Sequence, residues 1–156
     1  MKSLYVVCYE SSPERMLSPS IQGQIHQVND YLCRLGIQKI VSGSSPLALQ
    51  LIEPSAKQLC IPIFVHNPFH SRKTEHAACH DAIPAIFEEE LRLPTSPVVF
   101  VMKKENALRL FQYIDPLSLE AEGTSLSSIE LFHIVCEQDR IGMERLWKPL
   151  LPFSAD

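Results

Sequence analysis

Short runs of β-branched and aromatic residues alternate in this chain with segments whose apolar residues recur at helical spacing. In the first of these segments, the apolar residues from Ile21 to Leu35 follow one another at steps of four, three, four and three residues, which puts them on one helix face. Ser18-Pro19 before the segment is typical of a helix start, and Gly36 after it is typical of a helix end. The runs themselves predict strands at Leu4–Cys8, Ile37–Val41, Ile61–Val65, Val98–Met102 and within Ser125–Val135.

The helical segments fall between these strands, so that strand and helix alternate with short connections. This order is typical of a three-layer α/β/α sandwich with a mostly parallel central sheet of about five strands. The Val98–Met102 run is apolar throughout, as expected for a central strand covered on both faces, whereas Pro62 is expected near an edge of the sheet or at the start of a strand. We predict the helices at Ser18–Leu35, Leu47–Leu59, Glu75–Leu91 and Glu105–Tyr113, with a kink or a break at Pro54.

The length and the charge of the chain limit the classes of protein to which it can belong. Its 156 residues suit one domain with one core, which we assign to residues 1–156 with a tail from about residue 147. The formal net charge is -4 and the basic residues are scattered, so we expect no nucleic-acid partner. No apolar run approaches the roughly 18 residues of a membrane span. We therefore expect a cytoplasmic protein that does not associate with a membrane.

Cysteine and histidine are the residues that would indicate a disulfide framework or a metal site. The five cysteines are odd in number and form no C-x-x-C pair, which argues against both disulfides and a thiolate zinc site. His76 and His80 have the i, i+4 spacing of helical metal ligands, but no Glu lies between them as it does in metalloproteases. A structural or solvent-exposed role suits this pair better, so we predict no metal and no cofactor.

Ligands of parallel sheets bind at the carboxyl ends of the strands. Four segments follow the predicted strands there, namely Cys8–Ser12, Ser42–Leu49, His66–His70 and Lys103–Asn106. Residues that carry chemistry are therefore expected in these segments and at the start of the helix that follows the first one.

Two motifs in and near these segments resemble those of a known family. Leu17-Ser18-Pro19, followed by Gln24 in the first helix, is similar to the Leu-Thr-Pro motif and the Gln-containing helix of the histidine phosphatase superfamily. Ser44-Ser45-Pro46-Leu47 is similar to the Ser-Ser-Pro-Leu motif that follows the second strand in that family. The resemblance extends from Leu4 to about Phe132 and implies a phosphoglycerate mutase-like fold.

The residues that carry out the chemistry of that family are replaced here. By the resemblance, Tyr9 stands at the position of the nucleophilic His, Cys8 at its partner Arg and Glu10 at the neighbouring Gly. Leu49 stands at the second Arg and Lys103 at the second His. The resemblance identifies no general acid in this chain, and we predict no catalytic residue. The residues at these positions, together with Ser44, form what we call the vestigial pocket. It comprises Cys8, Tyr9, Glu10, Ser44, Leu49 and Lys103.

These replacements remove the groups on which phosphoryl transfer depends. An imidazole is partly unprotonated at neutral pH and can attack phosphorus, whereas a phenol with a pKa of about 10 is almost wholly protonated. A guanidinium binds phosphoryl oxygens through a two-pronged contact, which a thiol cannot do. The sequence therefore predicts a domain without catalysis that binds a small molecule or a protein partner of unknown identity.

Alternatives to this prediction remain open at the level of sequence. One is a phosphomonoesterase or a phosphoglycerate mutase-like phosphotransferase with a rebuilt active site. Another concerns Cys8 alone, whose thiol would be activated for covalent chemistry if Lys103 lay beside it. Both alternatives depend on which side chains the fold brings together.

Overall fold

Two strands occupy the centre of the sheet, β1 (Lys2–Tyr9) and β4 (Val98–Lys103). The computed structural model of the chain describes residues 2–9, 19–66, 77–116, 129–138 and 140–147. Within these ranges the other strands are β2 (Lys39–Ser42), β3 (Ile63–Val65), β5 (Glu130–Glu137) and β6 (Arg140–Trp147). The helices are α1 (Pro19–Cys33), α2 (Pro46–Leu59), α3 (Ala77–Arg92) and α4 (Lys104–Ile114).

The strands form one sheet in the order β3-β2-β4-β1-β5-β6. The first four strands in this order are parallel, whereas β5 and β6 are antiparallel to their neighbours. In the central pair, Leu4 lies opposite Val98 and Tyr9 lies opposite Lys103, so β1 and β4 end together at the carboxyl edge of the sheet. The sheet is therefore mostly parallel, as the sequence predicts, and Pro62 precedes an edge strand, which confirms that prediction as well.

Helices cover both faces of the sheet, and each face has its own apolar core. On one face, Tyr5, Val7 and Tyr9 of β1 pack with apolar residues of α1 and α2. On the other face, Leu4 and Val6 pack with apolar residues of α3 and α4. This alternation along β1 follows from the two-residue period of a strand. The predicted three-layer α/β/α sandwich is thereby confirmed. None of the described helices combines the length and the apolar character that a membrane crossing requires.

The structure contains one strand, β6, that the sequence pattern does not predict. β6 pairs with β5 as a hairpin and forms the outer edge of the sheet. Its sequence, Arg140–Trp147, contains three charged residues and a glycine, and for this reason it lacks the apolar alternation of a half-buried strand. The predicted sheet of about five strands is corrected to six strands among the described residues. The last predicted strand is observed as Glu130–Glu137, and residues 125–128 of the predicted span lie outside the described residues.

Helix α2 continues through Pro54 to Leu59, so the break that Pro54 predicts does not occur. The side chain of Asn29, from α1, lies against α2 at this point. Its amide nitrogen donates to the carbonyl oxygen of Leu51 at 2.8 Å, and its amide oxygen accepts from the backbone N–H of Ser55 at 3.0 Å. An uninterrupted helix joins the N–H of a residue to the carbonyl four residues earlier, which for Ser55 is that of Leu51. The Asn29 side chain therefore joins the Leu51 carbonyl to the Ser55 N–H, next to Pro54 of α2.

Three charged side chains meet at the opposite, amino edge of the sheet. The Glu90 carboxylate of α3 lies 3.1 Å from Lys39 Nζ and 3.6 Å from Lys2 Nζ, and Glu90 is only 4% exposed. Lys2 Nζ also donates hydrogen bonds to the carbonyl oxygens of Leu93 and Thr95. Burial lowers the pKa of Lys2, and the negative charge of Glu90 opposes that shift. The cluster fixes the carboxyl end of α3 to the start of β1 and β2 because each buried charge has a partner.

Replacing Asn29 tests whether this bridge supports α2. We expect Asn29→Ala to lower the free energy of unfolding by about 2 kcal/mol or more, since it leaves a buried carbonyl and a buried N–H without their partner. Urea unfolding followed by circular dichroism measures this change. Gln50→Ala, on the exposed side of the same helix, is the control and is expected to change stability by less than about 0.5 kcal/mol. Equal effects of the two substitutions would contradict a bridging role.

Candidate functional site

The carboxyl edge of the sheet brings together the ends of β1, β2 and β4. Tyr9 and Lys103, the last residues of β1 and β4, lie opposite each other in the parallel register. Ser42 at the end of β2 lies opposite Val101, and the next N–H, that of Gly43, donates to the Val101 carbonyl at 3.1 Å. Helices α2 and α4 begin directly after this edge, at Pro46 and Lys104. The amino ends of two helices therefore border the site, as in other sheets of this type.

The Ser44-Ser45-Pro46-Leu47 motif forms the turn from β2 into α2. Ser45 is the N-cap residue, with φ -65 and ψ 139, and its hydroxyl oxygen accepts from the backbone N–H groups of Leu47 at 3.0 Å and Ala48 at 3.4 Å. Pro46 occupies the first turn, where its missing N–H costs nothing. The motif is thus explained by helix capping, and the buried residue at its centre is Ser45. Ser45 belongs to the predicted motif but not to the predicted pocket, although a Ser before a Pro is a signal for an N-cap.

Tyr9 is fully buried at the end of β1, with 0% exposure, and packs with the apolar residues of α1 and α2. Burial raises the pKa of its hydroxyl from 10.0 to about 12, and the nearby Ser45 hydroxyl opposes this shift. Among the described residues, its Oη atom has no partner with the geometry of a hydrogen bond. Tyr9 is therefore a protonated phenol in the core at neutral pH.

Lys103 is the other member of this pair and is only 7% exposed. Residues opposite each other in parallel strands share a face, so its side chain lies on the same face of the sheet as that of Tyr9. Lys103 is also the N-cap residue of α4, and its side chain makes no capping bond. No acidic side chain in the described ranges forms an ion pair with it. A cation at the positive end of a helix favours an anion nearby.

Cys8 lies on the other face of the sheet, away from Tyr9 and Lys103. It is 1% exposed among the residues that pack against α3 and α4, and its Sγ lies 3.9 Å from the carbonyl oxygen of Glu130. Because neighbouring residues of a strand point to opposite faces, the fold separates the Cys8 thiol from the Lys103 ammonium. The structure therefore does not create the arrangement on which activation of Cys8 depends.

The remaining residues of the vestigial pocket surround the turn into α2 or lie outside the described residues. Ser44 and Leu49 are both half-buried, and the Leu49 N–H donates to the Ser45 carbonyl at 3.1 Å in the first turn of the helix. Glu10 lies outside the described residues, as do residues 67–76 with His70 and His76. Within the described ranges, no group of three or more His, Cys, Asp or Glu side chains could hold a metal ion.

Comparison with known proteins identifies the fold. No family model matches the sequence, and no curated protein matches it. Among solved structures, a mycobacterial glucosyl-3-phosphoglycerate phosphatase in complex with VO3 aligns with a TM-score of 0.66 and 13% identity over 94% of this chain and 99% of its own. Phosphoglycerate mutase from Plasmodium falciparum aligns with a TM-score of 0.63 and 9% identity over 100% of this chain and 98% of its own.

A third solved structure is a phosphoserine phosphatase from Entamoeba histolytica in complex with phosphoserine. It aligns with a TM-score of 0.68 and 8% identity over 92% of this chain and 95% of its own. The chain has a phosphoglycerate mutase-like fold. Identities this low establish that fold alone, and the chemistry of a phosphoglycerate mutase-like protein has to be judged from its own residues.

Ionisation of Tyr9 is expected to destabilise the protein at high pH. Its pKa is about 12 in the fold against 10.0 in the unfolded chain, so the folded state binds more protons in this interval and stability falls as pH rises through it. A pKa difference of this size corresponds to about 2 to 3 kcal/mol. As the pH rises between the two pKa values, the free energy of unfolding of the wild type should fall by this amount relative to that of Tyr9→Phe. Urea unfolding of both proteins at each pH measures the difference.

At neutral pH we expect the Tyr9→Phe substitution to have little effect on stability. Tyr9→Phe removes a hydroxyl that has no partner in the described part of the chain, so we expect the free energy of unfolding at pH 7 to change by less than about 1 kcal/mol. A loss of several kcal/mol would show that the hydroxyl makes a strong hydrogen bond in the fold.

Proposed function

We propose that the chain is a non-catalytic member of the histidine phosphatase superfamily that acts by binding a protein partner. The observation that supports this most directly is the state of Tyr9, which is fully buried and has a pKa of about 12. By the sequence resemblance, this residue occupies the position of the nucleophile. A nucleophile for phosphoryl transfer has to reach the phosphorus atom with an unprotonated lone pair.

Tyr9 meets neither requirement of such a nucleophile. With a pKa of about 12, roughly one phenol in 100,000 is ionised at pH 7. Its side chain has 0% exposure, so a phosphate ester cannot approach the hydroxyl without displacement of the core around it. The activation of this residue would therefore require both a base and a rearrangement of the residues that cover it.

The positive charges that stabilise a transferring phosphoryl group are also reduced. By the resemblance, the two Arg positions hold Cys8 and Leu49, and Cys8 faces the other side of the sheet. Among the positions that correspond by the resemblance to the family's Arg and His residues, Lys103 is the one that holds a cation. Electrostatic stabilisation supplies most of the rate in phosphoryl transfer, so one lysine in place of several cations leaves little catalysis.

A protein partner fits this arrangement better than a small ligand. Small molecules bind in concave pockets that exclude solvent around them. At this edge the Tyr9 side chain is fully buried among apolar residues of α1 and α2, so a small ligand does not reach its hydroxyl. The second candidate is a phosphomonoesterase or mutase with a rebuilt site, which the names of the three solved structures favour.

An activity assay distinguishes the two candidates. We expect the purified protein to hydrolyse p-nitrophenyl phosphate no faster than background and to form no phosphoenzyme with a labelled phosphate ester. Lys103→Ala and its control Lys104→Ala each remove one lysine at the turn from β4 into α4. Lys103 is the last residue of β4, whereas Lys104 is the first residue of α4. Turnover that is lost in Lys103→Ala and kept in Lys104→Ala would overturn the proposal in favour of the enzyme.

A further inference from the structure

The outer edge of β6 is a strand edge with which none of the described strands pairs. β6 is the last strand in the sheet order, and none of the described residues pairs with the side that faces away from β5. Arg140, Ile141, Gly142 and Glu144 are all exposed, and 43% of Ile141 is exposed although its side chain is large and apolar. An edge of this kind presents free N–H and C=O groups with which another strand can pair.

Symmetry restricts how two copies of β6 can pair with each other. A two-fold axis that relates two antiparallel edges in one sheet runs perpendicular to the sheet, so it keeps every side chain on its own face. Residues opposite each other must share a face, and successive residues alternate between faces. The axis therefore passes between two copies of the same residue, and each choice of that residue defines one register.

The register centred on Gly142 brings opposite charges together. In it, Arg140 of each copy lies opposite Glu144 of the other, and Ile141 lies opposite Met143, which gives two charge pairs and two apolar pairs. The register centred on Met143 places Glu144 opposite Gly142, and the register centred on Glu144 places the two Glu144 carboxylates opposite each other. Opposite charges in directly facing positions stabilise a strand pair, and like charges destabilise it. Gly142 also has open space around it, with no atom within 4 Å of an added Cβ.

Neither charged residue forms an ion pair with another described residue of its own copy, although Arg140 lies opposite Glu137 across the hairpin. Arg140 and Glu144 are four residues apart on one face of β6, which corresponds to about 13 Å along a strand. Across the hairpin, Glu144 lies opposite His133. Burial lowers the pKa of His133, with the negative charge of Glu144 opposing the shift, so the surroundings of this imidazole favour its neutral form. Both side chains are exposed, so both charges can reach a second copy.

We propose that two copies of this chain associate through β6, antiparallel and centred on Gly142, with Arg140 of each copy paired to Glu144 of the other. The association joins two six-stranded sheets into one sheet of twelve strands. It covers the exposed Ile141 side chains with the Met143 side chains of the other copy. The paired segment, residues 140–144, is short, so the dimer forms in a concentration-dependent equilibrium.

Charge reversal at the two positions tests this pairing by sedimentation equilibrium over a range of protein concentrations. The wild type is expected to dimerise, and Arg140→Glu and Glu144→Arg are each expected to raise the dimer dissociation constant about tenfold or more, since each places like charges opposite each other twice. Glu89→Arg makes the same charge change as Glu144→Arg, but on the exposed side of α3. It is expected to leave the dissociation constant unchanged.

Mixing the two single variants gives the sharper result. In an Arg140→Glu copy both charged positions are negative, and in a Glu144→Arg copy both are positive. Each variant alone repels itself, whereas an equimolar mixture is expected to form a heterodimer at least as tightly as the wild type dimerises. The double variant Arg140→Glu/Glu144→Arg is expected to dimerise like the wild type. Recovery in these two samples cannot arise from misfolding, and thermal unfolding of each variant checks the fold directly.

Several results would overturn the proposal. A wild type that stays monomeric up to about 1 mM would show that β6 does not pair with a second copy. A dimer that withstands both reversals would show an interface elsewhere on the chain. Weakening by both single reversals without recovery in the mixture would exclude the register centred on Gly142. Hydrogen exchange supplies a second readout, since backbone amides of β6 should gain protection as the protein concentration rises.

Discussion

The parallel pairing of β1 with β4 is the constraint on which the rest of this structure depends. These two strands lie at the centre of the sheet, every residue of β4 is buried, and helices pack on both of their faces. A central strand has no solvent-facing side, so its residues have to be apolar or paired. The register then fixes which residues meet at each edge. At the carboxyl edge it brings together Tyr9 and Lys103, two residues that are 94 positions apart in the chain.

The two edges of this central pair differ in whether their buried charged side chains have a partner of opposite charge. At the amino edge, Lys2 and Lys39 share the buried carboxylate of Glu90, so each charge is balanced. At the carboxyl edge, Lys103 is buried beside an uncharged phenol and has no ion-pair partner among the described residues. The amino edge therefore contributes to the connection between α3 and the sheet. The carboxyl edge holds one buried cation beside a phenol that is part of the core.

Much of the fold could be predicted from the sequence because its signals are local. The apolar face of α1 and the continuous apolar run of β4 are periodic patterns that report burial directly. β6 was missed because an edge strand with charges and a glycine carries no such pattern. In the candidate site, the sequence grouped Cys8 with Tyr9 as neighbours in the chain. The two-residue period of a strand puts them on opposite faces, a signal that was available and that separates them in the structure.

The sequence by itself determined the order of strands and helices and the residues that stand at the ends of the strands, since both depend only on which residues occur at which positions. Only the tertiary structure decided that Tyr9 is inside the core, because its burial comes from α1 and α2, which lie on separate parts of the chain. Tertiary structure also decided that α2 continues through Pro54, since Asn29 reaches it from another helix. Propensity and periodicity act over a few residues, whereas burial and hydrogen bonding between elements depend on packing that no local pattern encodes.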